Sequence, residues 1–516
     1  DPVLSRGLGD VYKRQDTNGG HGTHVAITLA GDGTGDSNAE GIAPGAYIVA
    51  YALEHNPTGI FGRIGSIYDM LNHAEQEGSR VAVNAWGLNG NYGAYTADSR
   101  SVDVFVNDNP EFLPIFSAGD DPSQKSSSVM APSTAKNVLS VGASTTNPSG
   151  SVANFSSLGP SLDGRVKPDI VAPGVAICSG RAEEAAIPVG TSCGSGTHAN
   201  GNAMYMSLSG SSQATAVAGG SVSLIREFIR EDVGITTPTA ALLKAATING
   251  AVDLGTPNIP NSEEGWGQVS VVGSVMPEYE GNVLSTYHDN SRTLNAGFTT
   301  LYQFDLDPTS GIEITLAWTD VAGSANAPQG ESRLVNDLDL KLTAPDGTVY
   351  KGNVFSNGFS TPNGVHDSVN NIERIKISPN SVLPSGKWQL NVNHAGGLEQ
   401  AYALVVTADA TLDEKADLIV FDGSIFPSSA SPLQNDLITL RLSWLNQGTS
   451  DAGQFKVKLE DLTEGTVVFE GTRQSLDAGL VDSITIYHSF TSTGDHDMRL
   501  TVDVDSQIDE INDELI

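Results

Sequence analysis

Three short stretches hold residues able to do nucleophilic chemistry. NGGHGTHVA carries His21 and His24 at the start of a small-residue helical pattern. FSAGDD (116–121) ends an apolar, strand-like run on Asp120. SLSGSSQATAVAGG (207–220) offers Ser211 and Ser212 ahead of a second small-residue helix. A serine hydroxyl is a weak nucleophile until a histidine within hydrogen-bond reach takes its proton. A helix beginning at such a serine adds backbone N–H groups and a positive dipole end, which favour a developing oxyanion. Taken singly, a histidine at a helix start is more often structural, and a GSS is more often a flexible loop. Their order along the chain, with AGD between them, favours the chemical reading.

Residues of this kind need a rigid frame, and three regions of different texture provide it. From Asp16 to about Val275, apolar runs alternate with helical patterns: AYIVAYALE (46–54), RVAVNAWG (80–87), FLPIFSAG (112–119) and NVLSVGAS (137–144). Such runs, buried on both faces and separated by helices, predict a parallel sheet in an α/β domain over 16–275. Helices are expected at 212–231 and 237–251, the latter with Thr237 as N-cap and Pro238 in the first helical position. From 276 to 410 the helical signal gives way to alternating runs such as GIEITLAWTD and GKWQLNVNHAGG, with a tight-turn pair at Asp346-Gly347. This predicts an antiparallel β-sandwich, a jelly roll or barrel. After the polar segment 407–417, residues 417–516 read as a further strand series of immunoglobulin-like type.

The three chemical stretches together resemble the subtilisin-like serine peptidases, the subtilase family. DGRVKPDIVAPGV (163–175) and GWGQV (265–269) are similar to further landmarks of that family. The resemblance makes Ser212 the nucleophile, His21 the general base and then acid, and His24 a structural histidine. Gly210, Thr215 and Gly219 match the serine signature, while Ala216 stands where proline is usual. Asp120 and Ser212 fall on the oxyanion positions. Ala85, Trp86 and Gly87 fall on the strand that pairs with extended substrate, where a plain buried strand is the bland alternative. GAYTADSRSVDVFV, LLKAATINGA and LVNDLDLKLTAPDGTVYKGN resemble the branch with a C-terminal β-barrel domain. The region opening ADLIV resembles bacterial cell-adhesion-related repeats of immunoglobulin-like fold.

The family pattern breaks in three places. No triad aspartate is assignable: Asp16 lies five residues from His21, and Asp10 lies in a doubtful leader without the usual Ser/Thr-Gly after it. LSRGLGDVYKRQ is similar to translated sequencing-adaptor DNA, and residues 1–15 are basic within an acidic chain, so they are expected to be a non-native leader before an incomplete domain; a natural flexible leader is the alternative. The chain as written is therefore expected to be a very poor catalyst. Asp120 stands where asparagine usually donates to the oxyanion, and an ionised carboxylate only accepts. A buried, protonated Asp120 would donate instead, which predicts an acid-shifted optimum. Ile27 replaces a glycine and is expected to crowd helix packing.

Composition bounds the partners. The 516 residues carry 27 basic and 61 acidic groups, a net charge of −34, which disfavours nucleic acid and anionic membranes. No run has the length of a membrane-spanning helix. Cys178 and Cys193 are either bridged or two isolated thiols. The chemistry needs no cofactor. Structural calcium is allowed for, with Asp337 and Asp339 or the turn at Asp346 as oxygen donors, and ordinary polar positions as the alternative. The resemblance implies a secreted or cell-surface bacterial serine endopeptidase acting on proteins and peptides, with the last domain binding a surface or polymer. A catalytically inactive subtilase-fold binding or adhesion protein is the alternative from another class. A narrow-specificity processing convertase would rest on Asp120 alone.

Overall fold

The computed structural model describes residues 19–511, apart from 52, 56–59, 62–64, 122–125, 147–149, 184, 186–189 and 380. The leader 1–15, with Asp10, and Asp16 lie outside the described residues.

Four strands form a parallel sheet in the order β1 (Val81–Asn84), β2 (Leu113–Ser117), β3 (Leu139–Ser144) and β4 (Ile170–Pro173). β2 and β3 are buried along their whole length, as strands covered on both faces must be. The expected strand at 46–54 does not join this sheet, and Tyr47 is 91% exposed. An apolar run makes a sheet strand only where neighbours cover it.

The flanking helices are α1 (His21–Ala30), α2 (Ile67–Gln76), α3 (Ala97–Asp108), α4 (Ser211–Glu231) and α5 (Ala240–Asn249). α2 starts with a capping box of Ser66 and Asp69, and α3 with Thr96 accepting from the Ser99 N–H. α4 lies against β1 to β4 and also packs on α1 and α5. The close approach to β1 requires glycine, because a Cβ at Gly219 would collide with Val83. α5 is capped by Thr239 rather than Thr237. The Thr239 side chain accepts from the Leu242 N–H at 3.1 Å, and its hydroxyl also donates to the Asn290 carbonyl. That tertiary anchor moves the helix start two residues along.

A small antiparallel sheet, β5 (Ile177–Gly180), β7 (Tyr205–Leu208) and β6 (Thr191–Ser192) in that order, lies beside α1. Cys178 and Cys193 are bridged, closing this sheet covalently.

The middle region is one eight-stranded sheet. Its strands are β8 (Ser285–Leu294), β9 (Thr299–Trp318), β10 (Asp337–Thr343), β11 (Val349–Ser356), β12 (Phe359–Pro362), β13 (Ile372–Ile377), β14 (Gly386–Gly396) and β15 (Gln400–Asp413). The order is β8-β15-β9-β14-β10-β11-β12, with β13 also on β9, and every pairing is antiparallel. The Asp346-Gly347 turn joins β10 to β11 as predicted, with Gly347 at φ 85°. Asp346 is exposed there and accepts from the Thr348 N–H, which makes it a turn residue.

The last region has two antiparallel sheets. β16 (Leu418–Ile419), β17 (Ile425–Pro427), β18 (Ile438–Asn446) and β21 (Val481–His488) form one. β19 (Phe455–Asp461), β20 (Thr466–Arg473) and β22 (Met498–Val502) form the other. Both sheets contribute to one core around Trp444, Leu442, Phe455 and Val457.

The α/β region and the eight-stranded sheet share a core, since Ala317, Ile372, Ala403 and Val405 belong to the same cluster as β2, β3 and α4. One buried ion pair crosses the same junction. Lys136 is paired with Asp320 and also donates to the carbonyls of Val321 and Arg333, at 2.5 and 2.7 Å. Within the α/β region itself, Asp169 receives Lys167 at 2.7 Å and Lys244 at 3.3 Å, and Arg165 is bidentate on Asp163.

Candidate active site

Ser212 is the second residue of α4 and is half-buried. The first N–H groups of a helix have no intrahelical partner. Gly210, before the helix, provides no side-chain cap. A Cβ at Gly210 would lie 2.8 Å from Gln213 Oε1 and 3.1 Å from Asp120 Oδ2, so glycine keeps this corner open. Ser211 is buried, with its hydroxyl 2.6 Å from that of Ser117, while the Ser212 hydroxyl is turned the other way. Ser212 Oγ donates to the Ala85 carbonyl at 3.1 Å.

Ala85, Trp86 and Gly87 follow the carboxyl end of β1 and are half-buried. Trp86 packs edge-to-face on Phe116 of β2, with centroids 5.5 Å apart. Gly87 faces Met130, whose methyl would stand 2.9 Å from a Cβ there. Leu88 then donates to the Ala131 carbonyl at 2.8 Å. The segment is thus fixed at both ends, with the Ala85 carbonyl held against Ser212.

Asp120 follows β2 and reaches the amino end of α4. Its Oδ1 accepts from the Ser211 N–H at 2.7 Å, which caps the helix and complements its dipole. The side chain is exposed, so the burial on which an acid-shifted optimum depends is absent. Asp120 thus stands at the amino end of α4 as an acceptor.

His21 opens α1 and is exposed, on a helix packed against α4. His24, one turn later, is buried. Its Nε2 donates to the carbonyls of Ile177 and Met206, each at 3.1 Å, and burial holds the imidazole down to about 4. It ties α1 to β5 and β7, the structural role expected of it. Ile27 does not crowd the fold, because Gly180 of β5 leaves the notch that its side chain fills.

Sequence reasoning missed the contribution of Met130 and the cap from Asp120. The first carries no motif, and the second arises between positions 91 residues apart. Among the described residues, the one trio of His, Cys, Asp and Glu donors gathered within 4.8 Å is Asp461, Glu464 and His496, at one end of the last region. Those donors are already engaged: Asp461 accepts from two backbone N–H groups and from His496, and Glu464 accepts from Thr491 and Ser492. The trio staples a loop.

Comparison with known proteins adds the following. Residues 6–267 match the subtilase family, Peptidase_S8, and residues 415–514 match CARDB, a cell-adhesion-related, immunoglobulin-like domain. A serine protease/ABC transporter B family protein, tagA of Dictyostelium discoideum, is 27% identical over 510 residues, covering 76% of this chain and 28% of that protein. Serine protease AprX of Bacillus subtilis is 29% identical over 220 residues, covering 40% of this chain and 48% of AprX. The chain therefore spans less than half the length of either relative. Fervidolysin from Fervidobacterium pennivorans, a keratinolytic enzyme related to subtilisin, is 18% identical, covers 90% of this chain and 60% of its own, and superposes with a TM-score of 0.40. No described helix is long and apolar enough to cross a membrane.

Proposed function

The chain belongs to the subtilase family, its residues 6–267 matching that serine protease domain, and from this we propose that it is a secreted serine endopeptidase using Ser212 and His21. The observation that carries the reading is the placement of Ser212. It lies in the first turn of α4 with its hydroxyl on the Ala85 carbonyl, beside a segment able to pair with a peptide. In this reading His21 takes the Ser212 proton as the hydroxyl attacks a peptide carbonyl. His21 then delivers the proton to the leaving amine. The Ser212 N–H at the helix terminus would donate to the oxyanion. Asp120 helps indirectly, by fixing the first turn through Ser211. No cofactor enters these steps. A third triad member is not assigned to a residue of this chain. The CARDB region would bind a surface or polymer partner and hold the protease near its substrate.

A second reading, a non-catalytic binding protein on the same fold, draws on one observation. The Asp120 carboxylate sits at the helix terminus that would stabilise an anion, and its charge opposes a developing oxyanion. A fluorophosphonate probe separates the two. The folded protein expressed from its gene should be labelled on Ser212, and Ser212→Ala should abolish the label. A folded protein that ignores the probe would remove the catalytic reading and leave the binding one. Asp120→Asn is expected to raise turnover at neutral pH, because an amide removes the opposing charge and adds a donor.

A further inference from the structure

Four carboxylates from β10, β13 and the turn before β13 face one another in the eight-stranded sheet. Asp337 and Asp339 are two apart on β10, so they share a face of the strand, while Leu338 and Leu340 take the other face into the core. Glu373, on β13, is 0% exposed. One of its oxygens, Oε2, accepts from the Leu340 N–H at 2.5 Å. Gly352 on β11 lies so close that a Cβ there would collide with the same carboxylate. Asp367 is held in place by Asn353, Asn370 and the Val369 N–H. The remaining oxygens are orphaned: Asp337 Oδ1, Asp339 Oδ1 and Glu373 Oε1 are buried with no hydrogen-bond partner.

Such an arrangement is costly unless something positive completes it, since buried polar atoms are nearly always paired and buried charges more so. The chain supplies little. Lys351 attracts Asp339, but the neighbours acting most strongly on Glu373 after its burial and its one backbone bond are Asp367, Asp339 and Asp337. Burial, and then Asp339 and Asp367, push Asp337 up to about 6. His366 Nδ1 lies 3.1 Å from Asp339 Oδ1, yet the two are not aligned as donor and acceptor and both remain unsatisfied. A cavity of about 480 Å³ reaches this point from outside, lined in part by Asn353, His366 and Asp367.

We propose that Asp337, Asp339, Asp367 and Glu373 form a binding site for a divalent cation, calcium by the chemistry of its donors. The donors are hard carboxylate oxygens on rigid strands, which suits an ion taking six to eight oxygens in adaptable geometry. No three of them lie within 4.8 Å of one another, as expected of like charges facing each other without an ion between them. A bound ion draws them together, and the cavity admits water for the rest of its shell. The site joins β10, β11 and β13 and does not depend on peptidase activity.

The test uses the whole chain, stripped with EDTA and dialysed. Isothermal titration with calcium chloride should give one saturable site. Thermal unfolding should shift upward with calcium, and more weakly with magnesium. The double variant Asp339→Asn/Glu373→Gln should lose both the heat and the shift. In EDTA it should melt no lower than the parent, because amides remove uncompensated charge. Asp461→Asn should leave the heat and the shift intact. No calcium heat, equal response to magnesium, a response that survives the double variant, or one lost in Asp461→Asn would each overturn the assignment. Because the readouts are heat and melting temperature, failure here leaves the peptidase reading untouched.

Discussion

Two buried clusters of charge, one in and beside the α/β region and one in the eight-stranded sheet, differ in how they are balanced. Asp320 meets Lys136 across the junction of the two regions, and inside the α/β region Asp169 meets both Lys167 and Lys244. In the β10–β13 cluster, Asp337, Asp339 and Glu373 are also withdrawn from water but keep unpartnered oxygens. The first cluster is complete within the chain and clamps two regions that share a core. The second is incomplete within the chain. Burial alone therefore does not tell a structural charge from a ligand; the count of opposite charges does.

The sharpest way to break this contrast is to unbalance the complete cluster. Asp169→Asn leaves Lys167 and Lys244 buried without their anion. A loss of about 3–5 kcal/mol is expected, since removing one partner of a buried pair strands the other. Denaturant midpoints would check it, and a loss below about 1 kcal/mol would mean that this cluster is wetter than its geometry implies. No such loss is expected at the incomplete cluster in EDTA, where the amide variant should melt no lower than the parent.

Next in size comes acid. His24 binds a proton in the unfolded chain near its ordinary 6.5, but in the folded chain only near 4. Acidification between those values thus favours unfolding, by on the order of 3 kcal/mol in total. Above pH 6.5 the effect is absent. His288, which burial also lowers to about 4, adds in the same direction. Melting curves of the parent and His24→Gln between pH 7 and 4 should converge as pH falls; parallel curves would refute the assignment.

Gly180→Ala is expected to cost about 1–3 kcal/mol through overpacking against Ile27, with recovery in the double variant Ile27→Gly/Gly180→Ala. Smallest is the exposed pair Lys387–Asp413, 2.9 Å apart at the surface. Lys387→Ala should leave the melting temperature unchanged within error, since such pairs contribute little. A large effect there would blur the distinction between buried and surface charge.

Much of the site was legible because its signals are local. The glycines, His21 and Ser212 lie in short motifs, and α4 begins within one residue of its expected start. The two aspartates of the NDLDL run, Asp337 and Asp339, are legible as oxygen donors for the same reason. Glu373 was not, because in IERIKI it reads as the outward position of an alternating strand, whereas β13 is covered on both faces. Lys136 and Asp320 are 184 residues apart, and nothing in either segment announces the other. The Asp120 environment and the Cys178–Cys193 bridge likewise depend on which strands become neighbours. Local chemistry can be read from local sequence; charge balance across a junction needs the fold.

The fit of Ile27 against Gly180 also constrains the path by which this chain diverged. The resemblance to subtilases implies glycine as the usual residue where Ile27 stands. An isoleucine arriving at that position while residue 180 still carried a side chain would have passed through an overpacked ancestor. The opposite order, with glycine at 180 first, crosses only a shallow cavity. Once isoleucine was seated, reversal at 180 alone became closed. Two positions 153 residues apart thereby work as a ratchet, and homologues should carry bulk at one or the other, never at both.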